Sequence, residues 1–400
     1  MAEVEISINN SSDNPEKDFR EVLGKFESQR GAKVHCTVYD WGNSWAEVMK
    51  IVLYKHGPVM SQVGSTWLGS LEATQGIRPF SPAEVNQVGG AEAFYPVAWK
   101  AGVSAETGRV LSIPWFLDTY VLYYRKDLFK KAGIDESTAF ESLEALTATV
   151  HKLAAAGESL PLAMPTVHSS RANLHNLAGW IWNYGGDFIS ENGKQLLLSD
   201  PKTRQGLKMY FSLASALPEP AQQLSDQDCV SVFLAGQAAM TLRNASLLDT
   251  AQRSPIFAEH PDQLGVAAMP GENFVGGSNF VFWSHIRPTE ERLALDLLRE
   301  LTSPEAQYAF FKQSGVLPAR LEALKKLETE PFYSPIVKSL LTGRSFRSLK
   351  LWGLIEDRLS VAIGQIWQAL YAKENPNLEE EIARVLDPLE RRLQLTLSDN

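Results

Sequence analysis

The sequence predicts an α/β fold with mainly parallel sheets flanked by helices and a helical C-terminal region, on three observations. The first sixty-odd residues alternate strand-like and helix-like patterns in a β–α–β–α–β rhythm. A second strand-like run, Tyr120–Arg125, opens another series of helices and short strands. The chain from about Leu321 onward is helical, with amphipathic stretches at Trp352–Leu370 and Leu378–Leu393.

Each element has a local cause. Val4-Glu5-Ile6-Ser7-Ile8 alternates apolar and polar residues as a strand does, and Pro15–Arg30 places Phe19, Leu23 and Phe26 on one helical face before Gly31 stops it. Lys33–Tyr39 alternates again, a helix is expected around Trp45–Lys55, and Pro58–Val63 supplies a third strand. Ligands of such sheets sit beyond the carboxyl ends of the strands. Here those ends are Asn9-Asn10-Ser11, Tyr39-Asp40-Trp41 and Gly64-Ser65-Thr66-Trp67. Beyond Tyr120–Arg125, helices are expected at Lys126–Asp135, Ser142–Ala156, Asn173–Tyr184 and Pro201–Ala216, with Gly133 and Gly185-Gly186 as stops. Gly265–Pro270 reads as a returning strand. Gly276-Gly277 opens the apolar strand Ser278–Trp283, and helices follow from Pro288 and from Ser303-Pro304, with Thr289 and Ser303 as caps. Leu293, Leu297, Leu298 and Leu301 form one apolar stripe.

Composition narrows the function. At 400 residues the chain exceeds one ordinary core and holds about two to three domains' worth of structure. An apolar fraction of 44% with 21% charged residues is that of a globular protein, and a net charge of −9 argues against a nucleic-acid surface. No apolar run approaches the roughly 20 residues of a membrane helix. Met1–Ile6 has no basic region, apolar core or cleavage site; immediate entry into a strand favours an exported protein whose signal has been removed over a cytosolic one. Cys36 and Cys229, far apart, read as free buried thiols.

Four blocks in order carry a resemblance: Ile113-Pro114 through Tyr123-Tyr124-Arg125-Lys126-Asp127-Leu128-Phe129-Lys130-Lys131-Ala132-Gly133, then Gly236-Gln237-Ala238-Ala239-Met240, then Gly276-Gly277-Ser278, then Leu317-Pro318-Ala319-Arg320. They resemble the extracellular solute-binding proteins of ABC importers, in the sugar-binding branch typified by maltose-binding protein. The resemblance implies a two-lobed periplasmic-binding-protein fold of type II-like topology. One lobe would comprise residues 1–114 and 271–317, the other 115–270 and 318–400. Crossing segments are expected near 114–118, 270–276 and 317–320, and the ligand is expected to be enclosed between the lobes by hinge closure. Gly271, Gly276 and Gly277 would supply the backbone freedom of a hinge.

Sugar recognition needs flat aromatic rings against C–H faces and planar polar groups for hydroxyls. Ten tryptophans are many for this length. Trp41, Trp67 and Trp115 fall at strand ends, and Trp180 and Trp182 near a helix end; each is weighed against a core role. Trp283, inside an apolar strand, reads as core. The polar candidates are Asn10, Asp40, Ser65, Thr66, Asp118, Asp187 and Ser278, with the Gly277 N–H; a turn or cap is the plainer role for each Asp. The resemblance adds Arg243 at a usual contact position, and Arg344 and Trp352 in the late region from which lid contacts come.

No nucleophile elbow, phosphate loop, His-Glu-x-x-His or Cys-x-x-Cys motif occurs, and His168 and His175 have no third ligand nearby in sequence. Neither catalytic residues nor a metal or other cofactor is expected. The expectation is a monomeric receptor, periplasmic or extracellular and held at the membrane through a removed lipoprotein or export signal. It would deliver a sugar or polyol to ABC permease subunits. The alternatives are a cytosolic or sensor-linked sugar-binding protein of the same fold and a carbohydrate-active hydrolase.

Overall fold

The computed structural model describes residues 2–11, 15–168, 171–218, 221–330 and 332–398. Among these the strands are β1 (Ala2–Asn9), β2 (Ala32–Tyr39), β3 (Met60–Gly64), β4 (Ile77–Arg78), β5 (Ile113–Arg125), β6 (Met240–Asn244), β7 (Leu264–Ala268), β8 (Val275–Trp283) and β9 (Leu317–Pro318). The chain divides into two compact units. The first contains Met1–Asp118, Val275–Tyr333 and Ser345–Gly353; the second contains Thr119–Phe274, Ser334–Arg344 and Leu354–Asn400.

In the first unit β1 runs parallel to both β2 and β3, with Ile6 opposite Cys36 on one side and Met60 on the other. β8 adds antiparallel to β3, placing Ser278 opposite Gly64, and β4 continues along β8. β9 pairs antiparallel with the first half of β5 at Phe116 and Leu117. Val4, Ile6 and Ile8 are buried, as alternation requires, and the helix Pro15–Arg30 buries Phe19, Leu23 and Phe26. Ser7, in the same strand, is buried as well, and its polarity is answered locally. Its hydroxyl donates to Ser61 Oγ at 2.7 Å, which also receives the Trp283 indole N–H at 2.7 Å.

In the second unit the latter half of β5 lies between β6 and β7, antiparallel to both, with Tyr123 opposite Thr241 and Val266. Thus β1 pairs parallel with β2 and with β3, whereas β5 pairs antiparallel with β6 and with β7 in the second unit. Helices supply most of its core. Arg171–Asn183 packs directly on Pro201–Ser212, where a Cβ on Gly206 would stand 2.5 Å from the Ile181 Cα. Trp180, Tyr210, Phe211 and Trp367 fill the space beside that contact.

The chain passes between the units after Asp118 and after Phe274, then at Tyr333/Ser334, Arg344/Ser345 and Gly353/Leu354. Leu317–Arg320 is not a crossing: it lies inside the first unit, tied by β9 and by the Arg320 guanidinium, which donates to the Val88 carbonyl at 2.6 Å. Two helix starts also differ from expectation. The helix at Pro288 is closed by Glu290 reaching back to the Arg287 N–H at 3.1 Å, with Thr289 inside the first turn. The helix expected near Trp45 begins at Trp41, because the Asp40 carboxylate accepts from the Gly42 N–H at 2.8 Å and caps it. Cys36 and Cys229 are free thiols, each pushed up to about 12 by burial.

Candidate functional site

The first unit carries an aromatic cluster at the carboxyl ends of β2 and β3. Strand β3 ends at Gly64 and turns at once into the 3-10 segment Ser65–Trp67. The Trp67 indole folds back over the strand end, within van der Waals reach of where a Cβ on Gly64 would stand, at 3.4 Å. Trp67 is buried, and Trp41 and Trp45 meet it edge-on at 5.8 and 5.4 Å. Trp41 is 37% exposed, one of the few large apolar side chains open to solvent. Beside it Asp40 is exposed, with one carboxylate oxygen engaged by the cap. Ser65 and Thr66 are half-buried on the same turn, and Asn10 is exposed beyond β1, its N–H bonded to the Tyr39 carbonyl at 2.8 Å. A ring edge over a buried ring, flanked by carboxylate and hydroxyls, is suited to a ligand with both C–H faces and hydroxyl groups.

The same strands carry a polar layer centred on Gln62, a residue that sequence reading did not single out, and including the expected contact Ser278. Gln62 accepts from the Asn9 N–H at 2.7 Å and donates to Ser278 Oγ at 2.8 Å. Ser278 is buried and acts as a sheet brace, not as a surface hydroxyl. Gly277, at φ 140°, is required by packing: a Cβ would come within 2.0 Å of the Phe116 carbonyl oxygen. Asp118 is half-buried at the end of the unit's first segment.

The second unit carries a separate polar cluster. Arg344 donates to Asp187 at 2.7 Å and to Glu272 at 3.2 Å, and its guanidinium lies 4.7 Å over the Trp182 ring. The Trp182 indole N–H donates to the other Asp187 oxygen at 3.3 Å. Glu272 follows Gly271, which has a φ of 62°. That turn is held by Asn183, which donates to the Glu272 carbonyl at 2.7 Å and accepts from its N–H at 2.9 Å. Neither Asn183 nor Glu272 had a sequence signal beyond proximity to glycine. The three charged groups carry one net negative charge, so the arginine is fully answered within the cluster.

Besides Ser278, four expected contacts are corrected by burial. Trp115, 2% exposed, lies among Phe19, Phe116, Phe280 and Phe310 with centroids 3.8–5.5 Å away and is core. Trp180 packs edge-on to Tyr210 inside the helical layer, and Trp352 lies buried against Phe346 at 4.6 Å. Arg243 is buried and ion-paired to Asp226; burial disfavours its charge, but that carboxylate more than compensates and holds its pKa above the ordinary value. Among the described residues no three His, Cys, Asp or Glu side chains are grouped to hold a metal ion, and no helix is long and apolar enough to cross a membrane.

Residues 21–334 match the family described as bacterial extracellular solute-binding protein, which is well over half of the chain. The chain belongs to that family. It is 26% identical over 303 residues to a probable ABC transporter-binding protein of Deinococcus radiodurans, covering 70% of this chain and 69% of the relative. It is 25% identical over 349 residues to the sn-glycerol-3-phosphate-binding periplasmic protein UgpB of Yersinia pestis, covering 79% and 74%. The UgpB proteins of Brucella match at 25% over 65% of their length. In fold, this solute-binding protein is similar to maltose-bound MalE3 of T. maritima, with a TM-score of 0.82, 18% identity and coverage of 98% and 99%. It is equally similar to the sugar-binding protein MalE of Xanthomonas citri, at 0.82, 16%, 100% and 98%.

Proposed function

We propose that this solute-binding protein captures a neutral sugar or polyol outside the cytoplasm, as a monomer without cofactor or bond chemistry, and delivers it to the permease of an ABC importer. The observation that carries the ligand class is the half-open Trp41 set edge-on to buried Trp67 beside the exposed Asp40 carboxylate. Asp187, Glu272 and Arg344 offer acceptors and donors of the kind hydroxyl groups use. Capture is accompanied by a bend at the segments that link the units, those at Asp118/Thr119 and Phe274/Val275. A micromolar ligand needs about −8 kcal/mol. Neutral hydrogen bonds supply roughly 0.5–1.5 kcal/mol each and charged ones about twice that, so several contacts with one stacking surface suffice after ordering costs.

The UgpB relatives favour a second reading, sn-glycerol 3-phosphate. A phosphate needs an arginine or lysine with charge to spare. Arg344 is held by two carboxylates and Arg243 by Asp226, which supports a neutral ligand over a phosphorylated one. Titration calorimetry against mono- and disaccharides, polyols and sn-glycerol 3-phosphate tests both. Saturable binding of a neutral member, weakened by Trp41→Ala, supports the first reading. Binding of the phosphate ester alone replaces it with the second, and silence across the panel removes both ligand classes.

A further inference from the structure

The last two helices, Trp352–Tyr371, which lies in the second unit from Leu354 onward, and Leu378–Ser398, leave an open groove of about 520 Å³ on their shared surface, far along the chain from the tryptophan cluster. The first helix lines it with Leu354, Arg358, Val361 and Ala362, the second with Val385, Leu389, Arg392 and Leu393. Both sets have the spacing of a single helix face. Counted to the polar residues that close each set, Gln365 and Thr396, each face runs over twelve residues, about 16 Å along the helix at a rise of 1.5 Å per step. The floor is aliphatic, and Leu354 is 37% exposed within it. In a chain of net charge −9, the charged groups lining this groove are both arginines. Among the described residues neither Arg358 nor Arg392 has an ion-pair partner, although arginines of both units elsewhere are matched by carboxylates.

We propose that this groove is a binding site for a small, freely dissolved anionic amphiphile, a single aliphatic chain ending in a carboxylate. Its volume is that of a small-molecule site and too small to admit a whole partner helix. The aliphatic chain lies along the leucine and valine floor, where burying each methylene contributes about 0.8 kcal/mol. The carboxylate meets the arginines, whose planar forks match its two oxygens. The plain alternative is that the arginine stems merely shade the leucines from water. The two differ in charge preference.

The test is titration calorimetry of the full chain with decanoate below its micellar concentration, beside decanol and decyltrimethylammonium. Decanoate should bind saturably at one equivalent, and each comparison compound about tenfold or more weaker, the size of a charged hydrogen bond. Arg358→Ala with Arg392→Ala should lose that preference; both side chains are exposed, so the fold is kept. Leu354→Glu, which places a carboxylate one turn before Arg358 in a favourable helical pair, should abolish decanoate binding without lowering the melting temperature. Equal binding of all three compounds, no saturable binding, or indifference to the arginine changes would overturn the site. So would sedimentation with anionic vesicles in the absence of decanoate binding, which would mark a membrane surface instead.

Discussion

The Arg344 guanidinium lies 4.7 Å over the ring of Trp182 while its two ends are taken by Asp187 and Glu272. The arginine is therefore oriented before any ligand arrives, and its charge is already neutralised. Glu272 is half-exposed, with 48% of its side-chain area open, so its grip is the one more screened by water.

Charge selection follows from that arrangement. Changing Asp187→Asn together with Glu272→Gln keeps the shapes and leaves Arg344 without a carboxylate. Affinity for sn-glycerol 3-phosphate relative to glycerol or a neutral sugar should then rise about tenfold, near 1.4 kcal/mol, in parallel titrations. No change in the ratio would show that Arg344 does not meet the ligand.

Two tryptophans should separate binding from stability. Trp41→Ala removes a side chain already 37% exposed, so it should leave the thermal midpoint nearly unchanged and weaken sugar binding about tenfold or more. Trp115→Ala empties a site ringed by four phenylalanines and should cost about 3–5 kcal/mol in denaturant unfolding. A large stability loss for Trp41→Ala would assign that ring to the core.

Gly277→Ala tests whether the glycine is kept for packing. At φ 140° with the Phe116 carbonyl 2.0 Å from a would-be Cβ, alanine forces β8 away from the first half of β5. Unfolding free energy should fall by about 1–3 kcal/mol or more, as for strained backbone positions. Gly108→Ala, a positive-φ site with open space around its Cβ, is the control and should cost less. Similar losses at both would show that dihedral strain alone explains the effect.

A pH dependence is expected at Glu84. Burial alone would raise its pKa, but hydrogen bonds from Arg78 and from Ser81 outweigh this and hold it below the ordinary 4.5. A depressed folded-state value means that the stabilisation is present above 4.5 and is lost as pH falls through the folded value. Thermal melts of wild type and Glu84→Gln should therefore differ at pH 7 and converge in acid. A gap that persists at low pH would exclude an ionisation origin.

Much of the backbone was legible because its signals are local. Phe19, Leu23 and Phe26 recur at helical spacing, Ser303 precedes Pro304, and Gly31 follows the last helical residue of Pro15–Arg30. The third crossing at 317–320 was misplaced for the opposite reason. What keeps Leu317–Arg320 in the first unit is pairing with Phe116 and a bond to Val88, partners some two hundred positions away.

The same division runs through the candidate site. Residue order alone placed Asp40, Trp41 and Trp67 at the ends of parallel strands, because chain direction and strand alternation dictate where a parallel sheet presents its loops. It was unable to say which tryptophans meet water, since exposure depends on what packs against a ring from distant parts of the chain. Trp41 and Trp115 look alike as neighbours of a strand end. Folding surrounds one with phenylalanines from three other elements and leaves the other open beside Asp40. Likewise the pairing of Arg344 with Asp187 and Glu272 joins residues separated by up to 157 positions, and only the folded chain could bring them together.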